Sequence, residues 1–272
     1  MEYKSRCFPK SAGVPSFSSF EFSPRQRDYA LLIPVINEGS RILNELRRAK
    51  EFSLSIYADI ILLDGGSTDG STQPEVLVPL HVNSLLVITD EGRQGAAFRM
   101  GFFWALERGY LGFITVDGNN KDSIEDTVKF IDRLSEGYDY IQGSRFLKDG
   151  RDIRTPLFRK LSIRLIHAPV ISFAAGYHFT DTTNAFRGYS RRYLTHEKVQ
   201  PLRDIFTGYE LLDYLSVRAS QIGLKVTETG VTRTYPPGGK VPTKIRFGKD
   251  HFLLLRDLVR TVAGYYNPTK KD

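Results

Sequence analysis

Apolar residues first crowd together at positions 29–35, where YALLIPV has the length and content of a buried strand. Just beyond it, Ile42, Leu43, Leu46 and Ala49 recur at helical spacing. Three more short apolar runs follow, ADIILLD, SLLVIT and LGFITV, and the first leads into the turn-forming GGSTDG. Helices are predicted around Ala96 to Arg108 and from Ile124 to Leu134. The second is apolar at Ile124, Val128, Ile131 and Leu134, with Ser123 or Asp122 as its N-cap. Strands alternating with helices imply an α/β fold with a largely parallel sheet covered on both faces.

Beyond YDYIQ the alternation weakens. A helical stretch from about Pro156 to Ala175 precedes a short strand candidate, NAFRGY, and a helix carrying Tyr209, Leu212, Leu215, Ala219 and Ile222. A strand in LKVTETGVTR and the turn YPPGGK come next. In the final segment Phe252, Leu255, Val259 and Val262 fall near one helical face, which either docks on the core or lies at a membrane interface. The pattern contains no repeat and no heptads. It divides the chain into a flexible N-terminal segment (1–28), one main domain (29–235), and a basic loop with an amphipathic C-terminal helix (236–272).

Composition narrows the class. A chain of 272 residues can bury one sizeable core. With 41% hydrophobic and 25% charged residues, disordered and fibrous classes are excluded. The longest apolar run, APVISFAAG, is about half of the ~20 residues that a membrane span needs. The first 28 residues are rich in Ser and Pro and lack the apolar core of a secretory signal, so a cytoplasmic location is expected. Cys7 is the only cysteine, which rules out an internal disulfide. The net charge of +7 admits nucleotide phosphates, an acidic membrane surface or nucleic acid as partners. Nucleic acid has nothing but this charge in its favour and is not expected.

In open α/β sheets, ligands bind beyond the carboxyl ends of strands, near a switch in strand order. Asp64 closes IILL and Asp117 closes FITV, so as ends of parallel neighbours both acids would open onto one crevice. Asp69 lies in the loop after Asp64, where glycines let the backbone approach a ligand. The five histidines show no metal-ligand spacing. There is no nucleophile elbow, Walker loop or complete dinucleotide fingerprint.

The segments PVINE, LLDGGSTDG, GRQGAAFRMGFFWAL, TVDGNN, QGSRF and DTTNAFRGY occur in the order and spacing of family 2 glycosyltransferases. More narrowly, the chain resembles the dolichol-phosphate and polyprenyl-phosphate sugar synthases over roughly Tyr29 to Thr234. This resemblance implies a Rossmann-like GT-A fold for the main domain. It also implies inverting transfer of a sugar from a UDP- or GDP-sugar to dolichyl or undecaprenyl phosphate, at the cytoplasmic face of a membrane. On the donor side it points to Pro34, Asn37, Glu38, Asp64, Ser67, Asp69, Arg93, Gln94, Gly95 and Gly118, with Lys240 closing over the diphosphate. On the acceptor side it points to Ser144, Arg145, Arg159, Ser162 and Lys244, where an arginine fork suits phosphate oxygens. Asp181 matches an acid near the reaction centre, although an Asx turn explains it equally well. Glu210 would be the general base for a hydroxyl acceptor, whereas a phosphate acceptor needs little proton removal.

Two positions depart from the family. Its members usually carry two carboxylates, separated by one residue, that bind a divalent ion on the diphosphate. Asp117 keeps the first place, but Asn119 takes the second. A weakened Mg²⁺ or Mn²⁺ site on Asp117 and the Asn119 carbonyl is expected, with metal independence as its rival. Gly65 stands where the family often has another aspartate, so nucleotide preference does not carry over. Lipid access would come from the Pro156 to Ala175 stretch and the basic terminal helix, giving salt-sensitive binding to an anionic membrane surface. A separate membrane protein could supply an anchor. Two other readings stay open: a glycosyltransferase acting on a hydroxyl, and a nucleotide-sugar-binding protein with little catalysis.

Overall fold

A computed structural model describes residues 4–11, 13–90, 94–237 and 249–269. Its first half alternates as the apolar pattern requires. Strands β1 (Lys4–Phe8), β2 (Phe17–Glu21) and β3 (Tyr29–Val35) are followed by helix α1 (Ser40–Glu51), β4 (Asp59–Asp64), the short α2 (Pro74–Leu77) and β5 (Val82–Ile88). Then come α3 (Gln94–Glu107), β6 (Gly112–Thr115), α4 (Thr127–Ser135) and β7 (Tyr140–Ser144). The second half is less regular: β8 (Arg151–Ile153), α5 (Leu157–Ser162), α6 (Ala168–Ala175), β9 (Arg187–Ser190), α7 (Arg191–Leu194), α8 (Glu210–Gln221), β10 (Val226–Gly230), β11 (Thr232–Thr234) and α9 (Lys249–Val262).

Among the described residues, nine strands form one sheet in the order β1-β2-β5-β4-β3-β6-β9-β7-β10, and β5, β4, β3 and β6 run parallel. Strand β9 enters antiparallel between β6 and β7, while β8 and β11 make a small parallel sheet of their own. Side chains alternate across a strand, so each face has its own core. Ala30 and Leu32 of β3 join Phe102, Trp104 and Leu215 on one face; Leu31 and Ile33 join Ile42, Leu46 and Phe130 on the other. Helices α3 and α8 cover the first face, and α1 and α4 the second.

Residues 4–8 and 17–21 lie in the segment expected to be flexible, yet they extend this sheet. β2 pairs antiparallel with β5, and β1 pairs with β2. In FSSFE the alternation places Phe17 and Ser19 inward, both buried, and Phe17 stacks on Phe8 with ring centroids 4.5 Å apart. Two of the five residues are serines, and Ser19 takes an inward place usually marked by an apolar residue.

The predicted helix at 156–175 is present, with one π-helical turn, Ile163–His167, joining α5 to α6. Its inner face is thin: Ile163, Ala168, Ile171 and Ala175 are buried. Its outer face is apolar and bare, with Leu157 71%, Phe158 75%, Leu165 70% and Phe173 84% exposed. On α9, Leu258 faces the core while Leu255 and Val259, from the predicted apolar face, point outward. Among the described residues, no helix is long and apolar enough to cross a membrane.

Candidate active site

The chain passes from β3 to β4 and β5 on one side, then returns to place β6 on the other side of β3. Strand order therefore switches beside the carboxyl ends of β3 and β6, where a crevice opens in such sheets. Asp117 stands two residues past β6. Gly118 packs so closely on β3 that a Cβ there would lie 2.8 Å from Val35 Cγ1 and 3.0 Å from the Pro34 carbonyl oxygen. The rest of the loop is held from α1. Glu45 accepts the Asn120 amide at 2.8 Å, and Arg48 donates to Asn120 Oδ1 at 3.0 Å and to the Asp122 carbonyl at 3.3 Å. Asn120 sits in the left-handed region at φ 57°, which Asn tolerates better than most residues. Glu45 is wholly buried, and burial raises its carboxyl well above the usual range.

The loops after β3 and β4 are laced together. The Asn37 amide donates to Ser67 Oγ at 3.0 Å, while Asn37 Oδ1 accepts the Thr68 amide at 2.8 Å. Asp69 accepts from Ser71 Oγ at 2.7 Å and from the Gly39 amide at 2.8 Å; the Ser71 hydrogen bond leads in holding its carboxyl below the ordinary value. Glu38 pairs with Arg41 at 2.7 Å. Asp64, which the family resemblance places on the donor side, is buried and turned into its own loop. Its Oδ1 accepts from Gly66 N, Ser67 N and Ser67 Oγ, and its Oδ2 from Thr72 Oγ1 at 2.8 Å. It fixes the conformation of that loop.

Asp117 is surrounded by donors. Gln94 Nε2 lies 3.4 Å from its Oδ1, while Arg233 Nη2 at 3.2 Å and Asn119 Nδ2 at 3.3 Å reach its Oδ2. Arg233, from β11, also donates from Nη1 to Asp122 Oδ2 at 2.5 Å and to Asn184 Oδ1 at 3.2 Å. Burial alone would lower the Arg233 guanidinium, but Asp122 and then Asp117 outweigh it and hold it well above its ordinary value. Burial raises Asp122 against the pull of Arg233. It also lowers the neighbouring Lys121 ammonium, helped by Arg233.

A hard divalent ion needs several oxygen ligands. Asn119 offers Asp117 its NH₂ group, while its carbonyl oxygen accepts the Lys121 amide at 3.2 Å. Asp122 is fully buried against Arg233. Among the described residues, no group of three His, Cys, Asp or Glu stands ready to hold a metal ion. The donors beside Asp117 are two amides and one guanidinium, and the nearby carboxylate of Asp122 is taken up by Arg233, so the residues present fit Mg²⁺ or Mn²⁺ poorly.

A second concentration of positive charge surrounds Tyr235. Arg145, just past β7, pairs with the buried Asp181 through Nε at 2.7 Å, and its buried Nη1 has no partner among the described residues. Arg159 Nη1 donates to Tyr235 Oη at 3.1 Å. Lys121 Nζ lies 5.4 Å, and the guanidinium carbons of Arg159 and Arg233 each 5.9 Å, from the Tyr235 ring centroid. Burial would raise the Tyr235 phenol, but Arg233, Arg159 and Arg145 prevail and bring it down to about 8. Beneath the Asp181 loop, Glu228 accepts the Thr180 amide at 3.0 Å, and burial raises its carboxyl to about 7.

Residues 30–196 match the family described as Glycosyl transferase family 2. The chain belongs to that family. Polyprenol monophosphomannose synthase of Mycolicibacterium smegmatis is 27% identical over 220 residues, 78% of this chain and 78% of its own. Undecaprenyl-phosphate mannosyltransferase of Micrococcus luteus is 24% identical over 206 residues, 74% of this chain and 81% of its own. Glucosyl-3-phosphoglycerate synthase of Mycobacterium tuberculosis, crystallised with Mn²⁺, UDP and phosphoglyceric acid, aligns with a TM-score of 0.59 at 14% identity. That alignment covers 89% of this chain and 80% of the other, and it shows the shared GT-A fold. The chain is a glycosyltransferase.

Several predicted residues of this family 2 glycosyltransferase are engaged within the protein itself. Ser144 is buried, with Oγ 2.6 Å from Thr180 Oγ1, and the Ser162 hydroxyl turns back to the Phe158 carbonyl in its own helix. The Glu210 carboxylate accepts the amides of Thr207 and Gly208, the latter at 2.6 Å, and fixes that loop against α3. A Cβ on Gly95 would come within 2.7 Å of the Phe206 carbonyl oxygen in the same loop. Arg93, Lys240 and Lys244 lie outside the described residues. The sequence reading missed Arg233, Tyr235, Lys121 and Glu45. The alternation in TRTY was a signal for the first two, since period two puts Arg233 and Tyr235 on one face.

Proposed function

We propose that this glycosyltransferase moves one sugar from a nucleoside diphosphate sugar to a polyprenyl phosphate at a membrane surface, with inversion at the anomeric carbon. The observation that carries the reading is the convergence of Arg145, Arg159, Arg233 and Lys121 around Tyr235, beside Asp117. Two anionic reactants repel one another, and fixed cations in a partly buried site offset that repulsion more strongly than water does. The two relatives, a polyprenol monophosphomannose synthase and an undecaprenyl-phosphate mannosyltransferase, support the same acceptor class.

In this reading the acceptor phosphate lies against Arg145 and Arg159. One of its oxygens attacks the anomeric carbon as the bond to the donor diphosphate breaks, and that electron pair leaves with the nucleotide. The attacking oxygen is already ionised, so no general base is required. The engagement of Glu210 by two loop amides agrees with this and weighs against a hydroxyl acceptor. Exposed Leu157, Phe158, Leu165 and Phe173 on the Arg159-bearing helical stretch suit insertion among lipid headgroups, which brings the membrane close to the cationic cluster.

The test is incubation of the purified chain with pooled UDP- and GDP-sugars and polyprenyl phosphate, followed by mass spectrometry of the organic phase. A lipid heavier by one glycosyl residue is expected. Nucleotide release on addition of a glycan, with no new lipid, would move the acceptor to a hydroxyl.

A further inference from the structure

We propose that Arg233, with Lys121 beside it, takes the place of the divalent cation on the donor diphosphate, so that this glycosyltransferase binds its nucleotide without a metal. The inference rests on the reading of the donor as a nucleoside diphosphate sugar. Its basis is the juxtaposition of Asp117, Asn119, Asp122, Lys121 and Arg233 at the switch in strand order.

The charges balance as a metal site would. Two carboxylates and one divalent ion sum to zero; Asp117, Asp122, Arg233 and Lys121 also sum to zero. Both arrangements can therefore receive an anionic diphosphate from the same starting charge, but here the two positive charges are covalently part of the chain. A guanidinium also presents parallel N–H groups that match adjacent phosphate oxygens.

The arginine is fixed in place by backbone as well as side chain. Ser123 N donates to the Thr232 carbonyl at 2.9 Å, and Thr234 N donates to the Lys121 carbonyl at 2.7 Å. Thus β11 is tied to the loop that carries Asp117, and Arg233 needs little rearrangement to meet a ligand. Its two ion pairs differ in kind. The Asp122 contact is 2.5 Å and its carboxylate is fully buried, whereas the Asp117 contact is 3.2 Å and that carboxylate is 22% exposed. The Nη2 edge of the guanidinium is accordingly the one that faces the crevice. Asp122 anchors the cation, and Asp117 holds the edge that a diphosphate oxygen would engage. Arg233 Nε is buried without an acceptor among the described residues, as expected of a cation held by less than its full set of partners.

Calorimetry with UDP and GDP tests this on the full chain, first stripped with chelator and then supplied with Mn²⁺ or Mg²⁺. The affinity for whichever nucleotide binds is expected to stay within about threefold across these conditions. Arg233→Gln is expected to weaken the diphosphate by about tenfold or more while leaving the parent nucleoside unchanged. Combining it with Asn119→Asp, which rebuilds the pair of carboxylates, should return affinity only when Mn²⁺ is added. Because Arg233→Gln leaves Asp122 buried without its partner and could fail to fold, the wild-type comparison decides independently, and Arg233→Lys preserves the charge. Loss of wild-type affinity by tenfold or more on chelation, restored by the metal, overturns the inference and leaves the donor reading intact. So does undiminished diphosphate binding by folded Arg233→Gln. Failure of both UDP and GDP to bind under every condition overturns the inference and the donor reading together.

Discussion

The Tyr235 phenol sits among more positive charge than one hydroxyl needs, and that gives it a measurable role in the proposed reaction. Its pKa is lowered to about 8, so it is neutral at pH 7 and anionic above about 8. The phenolate then pairs with Arg159 and Arg233 and competes with an incoming phosphate. The KM for polyprenyl phosphate is expected to rise as pH passes about 8, with kcat changing less, and Tyr235→Phe should flatten that rise. A steady-state pH series on both forms checks it. The same residue shows where sequence reading stops. Asp117 was legible because it closes an apolar run at a strand end. Arg233 was not, because its partners Asp117 and Asp122 lie 116 and 111 residues away in the chain, and only the folded sheet brings them together.

At the scale of elements, apolar periodicity was enough for β3 to β6 and for α1, α3 and α4, since these bury whole faces. It was not enough for β1 and β2, whose assignment depends on a partner strand that a local pattern does not reveal. Phe17→Ala should lower unfolding free energy by about 3 kcal/mol in a urea titration, as expected when a buried phenylalanine is truncated. A freely moving segment would show almost no change. The helical stretch from 157 to 175 poses the opposite case: its position was legible, but which apolar residues would be left uncovered was not. Replacing Phe158 and Phe173 together by Asp is expected to reduce partition onto anionic vesicles by tenfold or more, read by co-sedimentation, with thermal stability unchanged because both side chains are exposed.

For the whole molecule, net charge and burial set the response to solution conditions. With a charge of +7, vesicle binding should weaken as salt rises through the range in which the Debye length falls below ~10 Å. Stability carries a separate signature from Glu228, whose folded pKa of about 7 exceeds its ordinary 4.5. The folded state therefore holds this proton more tightly. The resulting stabilisation is complete below about pH 4.5 and is lost as pH rises through about 7. Glu228→Gln should remove that component, so thermal melts of the two proteins from pH 5 to 8 should differ in slope.

The π-helical turn at Ile163–His167 explains how one stretch can be buried on one side and apolar on the other along its full length. Each residue of an α-helix advances by about 100°, so a turn that accommodates one extra residue delays everything after it by about that angle. With the delay, Ile171 and Ala175 fall in line with Ile163 against the core, and Phe173 falls in line with Phe158 on the outside. Removing one residue from this turn would restore a regular helix and twist α6 by about 100° relative to α5. Ile171 and Ala175 would swing off the sheet and Phe173 off the outer plane, although these three side chains would still be present. The flat apolar surface is thus a product of phase, maintained by a single surplus residue.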